Sequence, residues 1–199
     1  MVPYCTPAEI KSQLGITDTD DDELIGLACE AASEQIDHHC GQTFNADTAA
    51  TARTFRPESN LWCEVDPIST TTGLVVKVDD DDDGTAETTI ATSDYVLRPR
   101  NASAHGVPYT EVFLVPSAAS LFPHLSVRDA VEVTALWGWP SVPVSVQQAA
   151  RVQATQLYKA KDTAFGVAGF GDFGVLRVQA RMNPVAAALL AGFRLPAVG

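Results

Sequence analysis

Two capped helices laid end to end, the second closed by a glycine before any strand pattern begins, constrain this chain more than any other feature. Thr6 is placed to cap the first helix through its hydroxyl, with Pro7 at the first helical position and Glu9 three residues after the cap to complete a capping box. Gly15 offers a left-handed stop after Leu14, so this helix is short. Thr17, Asp18, Thr19 and Asp20 supply caps for a second helix, and Asp21, Asp22 and Glu23 put carboxylates where the helix dipole favours them. The second helix is expected to run to Gly41.

Plotted at about 100° per residue, Leu24, Ile25, Leu27, Ala28, Cys29, Ala31, Ala32, Ile36 and Cys40 share one broad arc. Glu23, Glu30, Ser33, Glu34 and Asp37 are left on a narrow stripe. So wide an arc exceeds what one packing partner needs: either the helix lies centrally in its own domain, or part of the arc meets a neighbouring subunit. The stripe is then the solvated or partner-facing side.

From about Phe44 to Leu136 the pattern changes to short β-prone runs broken by turn residues. These are Ala52 to Phe55, Leu61 to Val65, Leu74 to Val78, Thr88 to Ala91, Tyr95 to Leu97, Glu111 to Val115 and Val131 to Leu136. With little room for crossover helices, they are expected to pair antiparallel. Trp137-Gly138-Trp139-Pro140 ends the last strand, and Pro143 is placed to start a long helix whose Val146, Ala149, Ala150, Gln153, Leu157 and Ala160 share one face. Gln148, Arg151, Thr155 and Lys159 lie on the other. A Gly- and Phe-rich stretch follows, then a short helix after Pro184. The expected class is α+β: a small helical bundle formed by N- and C-terminal helices, with an inserted antiparallel β-sheet. As one domain over 1–199 it divides into helices (1–43), β insertion (44–140), long helix (141–162), Gly/Phe-rich segment (163–183) and C-terminal helix and tail (184–199).

The chain's 199 residues are enough for a sizeable core. No apolar run approaches the roughly 20 residues of a membrane span, and the N-terminus lacks a basic region followed by an apolar one, so a soluble, cytoplasmically made protein is expected. Cys5, Cys29, Cys40 and Cys63 are widely spaced, without the paired spacing of zinc sites or the density of a disulfide scaffold, and read as small core residues. The net charge of −12 is concentrated in Asp18 to Asp37 and Asp79 to Asp83, while Arg151 to Arg194 is net basic. A chain this acidic lacks the clustered cationic footprint of a nucleic-acid reader. An acidic wall would nevertheless let DNA pass without sticking.

Motifs for catalysis are missing from the sequence. It has no G-x-S-x-G elbow, no H-E-x-x-H pair and no phosphate-cradling loop leading into Lys-Ser or Lys-Thr. His38 and His39 are adjacent on a helix and point about 100° apart, so they cannot serve one site. Asp79 to Asp83 followed by Gly84 matches the start of a calcium loop, but Ile90 stands where an EF-hand needs glutamate. A solvated hairpin tip is the preferred reading, with weak calcium binding through Asp79, Asp81 and Asp83 the alternative. Trp137 and Trp139 are expected to pack at the junction of sheet and helix, or else to anchor a neighbouring subunit. Phe165, Phe170 and Phe173, spaced among Gly166, Gly169, Gly171 and Gly174, combine costly ordering with costly exposure. That combination suits a segment that orders when a partner covers it.

Several of these words together resemble tailed-phage head–tail connector proteins, also called head-completion or adaptor proteins. The resemblance rests on L-G-I-T-D followed by acidic residues, I-D-H-H-C-G-Q-T-F, W-G-W-P-S-V-P, Q-A-A-R-V-Q-A-T-Q-L-Y-K-A-K-D and F-G-V-A-G-F-G-D-F-G-V. It implies a non-enzymatic virion protein, assembled in the host cytoplasm and resident in the neck, with no cofactor and no membrane partner. It further implies a ring, expected to be twelvefold, docked on the portal, extending the DNA channel and meeting the next neck or tail-completion protein. Glu23, Glu30, Glu34 and Asp37 would face Arg151 and Lys159 of an adjacent subunit, with Phe165, Phe170, Phe173, Trp137 and Trp139 as docking residues. A calcium-dependent binding module built on Asp79 to Asp83 is the alternative function.

Overall fold

The computed structural model describes residues 2–123, 125, 129–162, 167–169, 175–177 and 182–195. Contacts divide the chain into two compact units, one of Met1–Thr43 with Val142–Gly199 and one of Phe44–Ser141. The fold is α+β with an antiparallel sheet, as the sequence pattern indicates.

In the helical unit, α1 (Pro7–Leu14) carries the expected capping box at Thr6 and Glu9, and Gly15 stops it at φ 70°. Helix α2 (Asp22–Cys40) ends on Gly41 at φ 71°, whose N–H donates to the Asp37 carbonyl. Its buried residues are Ile25, Ala28, Cys29, Ala32, Ser33, Ile36 and Cys40, a stripe at three- and four-residue spacing. Two sequence expectations are corrected here. Ser33, assigned to the polar stripe, is fully buried: its hydroxyl accepts from Tyr4 N–H (2.9 Å) and donates to the Cys29 carbonyl (2.9 Å), which removes the cost of burial. Leu24 and Leu27, assigned to the apolar arc, are exposed at 39% and 56%.

The long helix α4 (Val144–Lys159) packs on α2 and on α5 (Pro184–Leu190). Its buried face is Val146, Ala149, Ala150, Gln153, Ala154 and Tyr158, rotated from the expected face by Ala154 and Tyr158 replacing Leu157 and Ala160. Tyr158 reaches inward because its hydroxyl finds Asp21 at 2.6 Å. Gln153 is buried with its amide donating to Gln35 (2.7 Å) and its carbonyl accepting from Asn183 N–H (2.8 Å). Numerous alanines on both helices permit close approach of their backbones.

In the sheet unit, β1 (Thr51–Phe55), β2 (Trp62–Val78), β3 (Thr88–Ile90), β4 (Tyr95–Arg98), β5 (Tyr109–Leu114) and β6 (Val131–Trp137) form one antiparallel sheet. The order is β1-β6-β2-β5-β4, with β3 also paired to β2. Two expected strands, Leu61 to Val65 and Leu74 to Val78, are the ends of the single strand β2. Register shifts between Glu64 and Val75 accommodate Pro67 and the Ser/Thr run that made the middle look like a loop. Alternate residues of β6 (Val131, Val133, Ala135, Trp137) enter a core shared with Ile68, Val76, Val112, Leu114 and Phe122. The helix α3 (Ala102–His105) was not expected from the sequence. Short strands β7 (Val167–Gly169) and β8 (Val175–Arg177) pair antiparallel inside the Gly/Phe-rich segment. Phe165, Phe170 and Phe173 themselves lie outside the described residues.

Candidate interaction surfaces

The acidic residues around α2 fall into two groups with different chemistry. Asp21 is held by the Lys161 ammonium at 2.5 Å and the Tyr158 hydroxyl at 2.6 Å, and those contacts, in that order, hold its carboxyl below the ordinary range. Asp22 meets Lys11 at 2.6 Å. Asp37 accepts from the Tyr4 hydroxyl at 2.5 Å; burial pushes its carboxyl up, and the Tyr4 bond opposes that shift. These three carboxylates hold the fold of their own chain.

Glu23, Glu30 and Glu34 form the second group. They sit at spacings of seven and four along α2, all exposed, with no hydrogen-bond or ion-pair partner among the described residues. Leu27 lies in the same row, four residues after Glu23 and three before Glu30, and Leu24 is beside it. The outward face of α2 therefore alternates carboxylates with exposed leucines.

Of the cations expected to face this stripe in a neighbouring subunit, Arg151 is paired with Glu9 of its own chain at 3.0 Å. The Thr6 backbone N–H, the Thr6 hydroxyl and Arg151 all hold the Glu9 carboxyl low, the Thr6 backbone most strongly. Lys159 is exposed. Trp137 and Trp139 are both buried in the sheet unit. The Trp137 indole N–H donates to the Thr51 carbonyl (2.9 Å), and its ring lies 5.5 Å from Phe55, with the Arg53 guanidinium over it at 4.6 Å. Trp139 packs on Phe44 at 5.3 Å. Between them Gly138 adopts φ 106°, so strand alternation stops at Trp137 and does not carry the second ring to the same face.

The aspartate run forms a turn. Asp79, 3% exposed, has both oxygens accepting backbone N–H bonds, from Asp83 (3.2 Å) and Gly84 (2.7 Å). Asp80 accepts from the Thr88 hydroxyl at 2.9 Å. Oxygens of Asp79, Asp81, Asp83 and Glu87 come within 4.8 Å of one another. Glu87 enters this cluster unannounced by the motif, because β3 folds back beside the turn while Ile90 faces the core.

Two further features were not visible in the sequence. The sheet unit carries an open groove of about 460 Å³ lined by Leu74, Tyr95, Val96, Leu97 and Tyr109, with the exposed Arg100 at its edge. In the helical unit the neighbouring Cys29 thiol, together with burial, pushes the Cys5 thiol up. All four thiols are free and buried; burial pushes Cys40 up to about 11 and Cys63 up to about 12. No helix among the described residues is long and apolar enough to cross a membrane.

Residues 6–84 match the family described as phage gp6-like head-tail connector protein. The match takes in α1, α2 and β1 and extends through β2 to Gly84. Among solved structures, the neck of an empty GTA particle computed with C6 symmetry is similar at TM-score 0.56 and 19% identity, covering 97% of this chain and 90% of that one. The neck of a native GTA particle computed with C12 symmetry is similar at TM-score 0.54 and 18% identity, covering 96% and 89%. The virion of a native gene transfer agent (GTA) particle gives TM-score 0.52 and 18% identity, covering 97% and 90%. These likenesses are of fold. Comparison with curated protein sequences finds no significant match.

Proposed function

We propose that the chain is a structural, non-catalytic subunit of a phage-type neck, forming a ring that docks on the portal, extends the DNA channel and receives the next neck or tail component. The observation that carries this reading is the connector-family match across both opening helices and the first strands. The solved structures of similar fold come from neck assemblies with sixfold and twelvefold symmetry, which supports a ring, expected to be twelvefold.

The chemistry required is modest. A ring closes through heterologous contacts, in which one surface meets a different surface of the next copy. Net charge of −12 suits a channel wall past which DNA slides, since carboxylates give phosphates nothing to hold. The Gly/Phe-rich segment with Phe165, Phe170 and Phe173 is the proposed docking element toward the portal or tail. Electron microscopy of purified particles tests the reading: density for this chain as a closed ring between portal and tail is expected, and particles complete without it would refute it.

A further inference from the structure

We propose that the outward face of α2 on one copy inserts Leu24 and Leu27 into the groove of Leu74, Tyr95, Val96, Leu97 and Tyr109 on the next copy, where Arg100 receives Glu23 or Glu30. The inference rests on the neck reading and names the two surfaces that would close its ring. Helix α2 presents a convex row in which exposed leucines alternate with unpaired carboxylates. The groove on the sheet unit is open and mixed in lining, with Thr71, Thr92 and Arg100 beside Leu74, Tyr95, Val96, Leu97 and Tyr109, and its volume of about 460 Å³ is ample for two leucine side chains. Laying an amphipathic helix into a groove is an established recognition mode, with anchors at i and i+3.

Charge and hydrogen bonding point the same way. Lys11, Arg53, Lys77, Arg151 and Lys161 are ion-paired within the chain, and Arg98 lies over Phe113. Among the described residues Arg100 has no such partner, and it stands at the groove. Tyr95, 9% exposed, lines the groove with its hydroxyl bonded to nothing among the described residues, a donor for an arriving carboxylate. Each copy carries one helix face and one groove. The contact is therefore heterologous, and repetition around an axis gives a closed ring instead of a dimer.

The test is a double variant, Leu27→Cys with Thr92→Cys, Thr92 being at the groove. Assembled particles are treated with a bifunctional thiol reagent and run on a denaturing gel. The native thiols are buried, so the unmodified chain supplies a blank, and each single variant supplies a control for incorporation. A ladder of multimers, absent from both single variants, is expected. Normal incorporation with only monomer bands, or cross-links only to another protein, would overturn the pairing and leave the neck reading standing. Absence of the unmodified chain from particles would remove the neck reading, and this inference with it.

Discussion

Glu9 shows how much one side chain does here. It closes the capping box on Thr6 and binds Arg151 at 3.0 Å, tying the first turn of α1 to α4. Its folded pKa is depressed, so its contribution is complete above the ordinary carboxylate value and lost as pH falls through the lowered one. Glu9→Gln should thus be less stable than the parent in urea melts at neutral pH, with the gap closing at acid pH. The capping half was legible in the sequence because it is local; the Arg151 half was not, because 142 residues separate the partners. The cysteines give a second expectation at this scale. All four are buried, so a thiol reagent should label none quickly in native protein and all four in denaturant. Rapid native labelling would contradict the burial.

Among the elements, the W-G-W junction is the most sharply constrained. Gly138 sits at φ 106°, donates its N–H to the Pro67 carbonyl (2.7 Å), and faces the Asn45 carbonyl so closely that any Cβ would collide with it. Gly138→Ala should cost more than about 3 kcal/mol, combining left-handed strain with a backbone clash. A melting temperature within a degree or two of the parent would refute that account. The aspartate turn leads to a different expectation. Since Asp79 already accepts from Asp83 and Gly84, Asp79→Ala should cost about 1–3 kcal/mol by leaving those N–H groups unsatisfied. Chelator should leave the parent's melting temperature unchanged, and a fall of many degrees in a metal-loaded sample would revive a calcium role. Strand ends and helix stops were legible because Gly and Pro act within a turn or two. The length of β2 was not, since its polar, proline-bearing middle is a strand only by virtue of β5 and β6 on either side.

For the whole molecule, the acidic surface outside the fold's own ion pairs is what an assembly has to use or tolerate. The exposed glutamates of α2 were legible from periodicity, whereas Leu24 and Leu27 beside them were read as core; the groove was not legible, because it is made by residues from β2, β4 and β5 that share no sequence neighbourhood. Glu30 and Glu34 are exposed and unpaired among the described residues, so reversing both to Lys removes no internal bond. Melting temperature should therefore stay within the small range of surface substitutions, about 0.5 kcal/mol in stability. Assembly should respond differently. An interface that brings this stripe against a cation on the next copy becomes repulsive on reversal, and like charges brought together on association are costly. In the proposed ring the penalty recurs at every contact, so even a modest change per contact should depress particle yield steeply. The expected outcome is a stable monomer and a loss of necked particles. A normal yield with both residues reversed would show that the stripe faces solvent in the assembled ring.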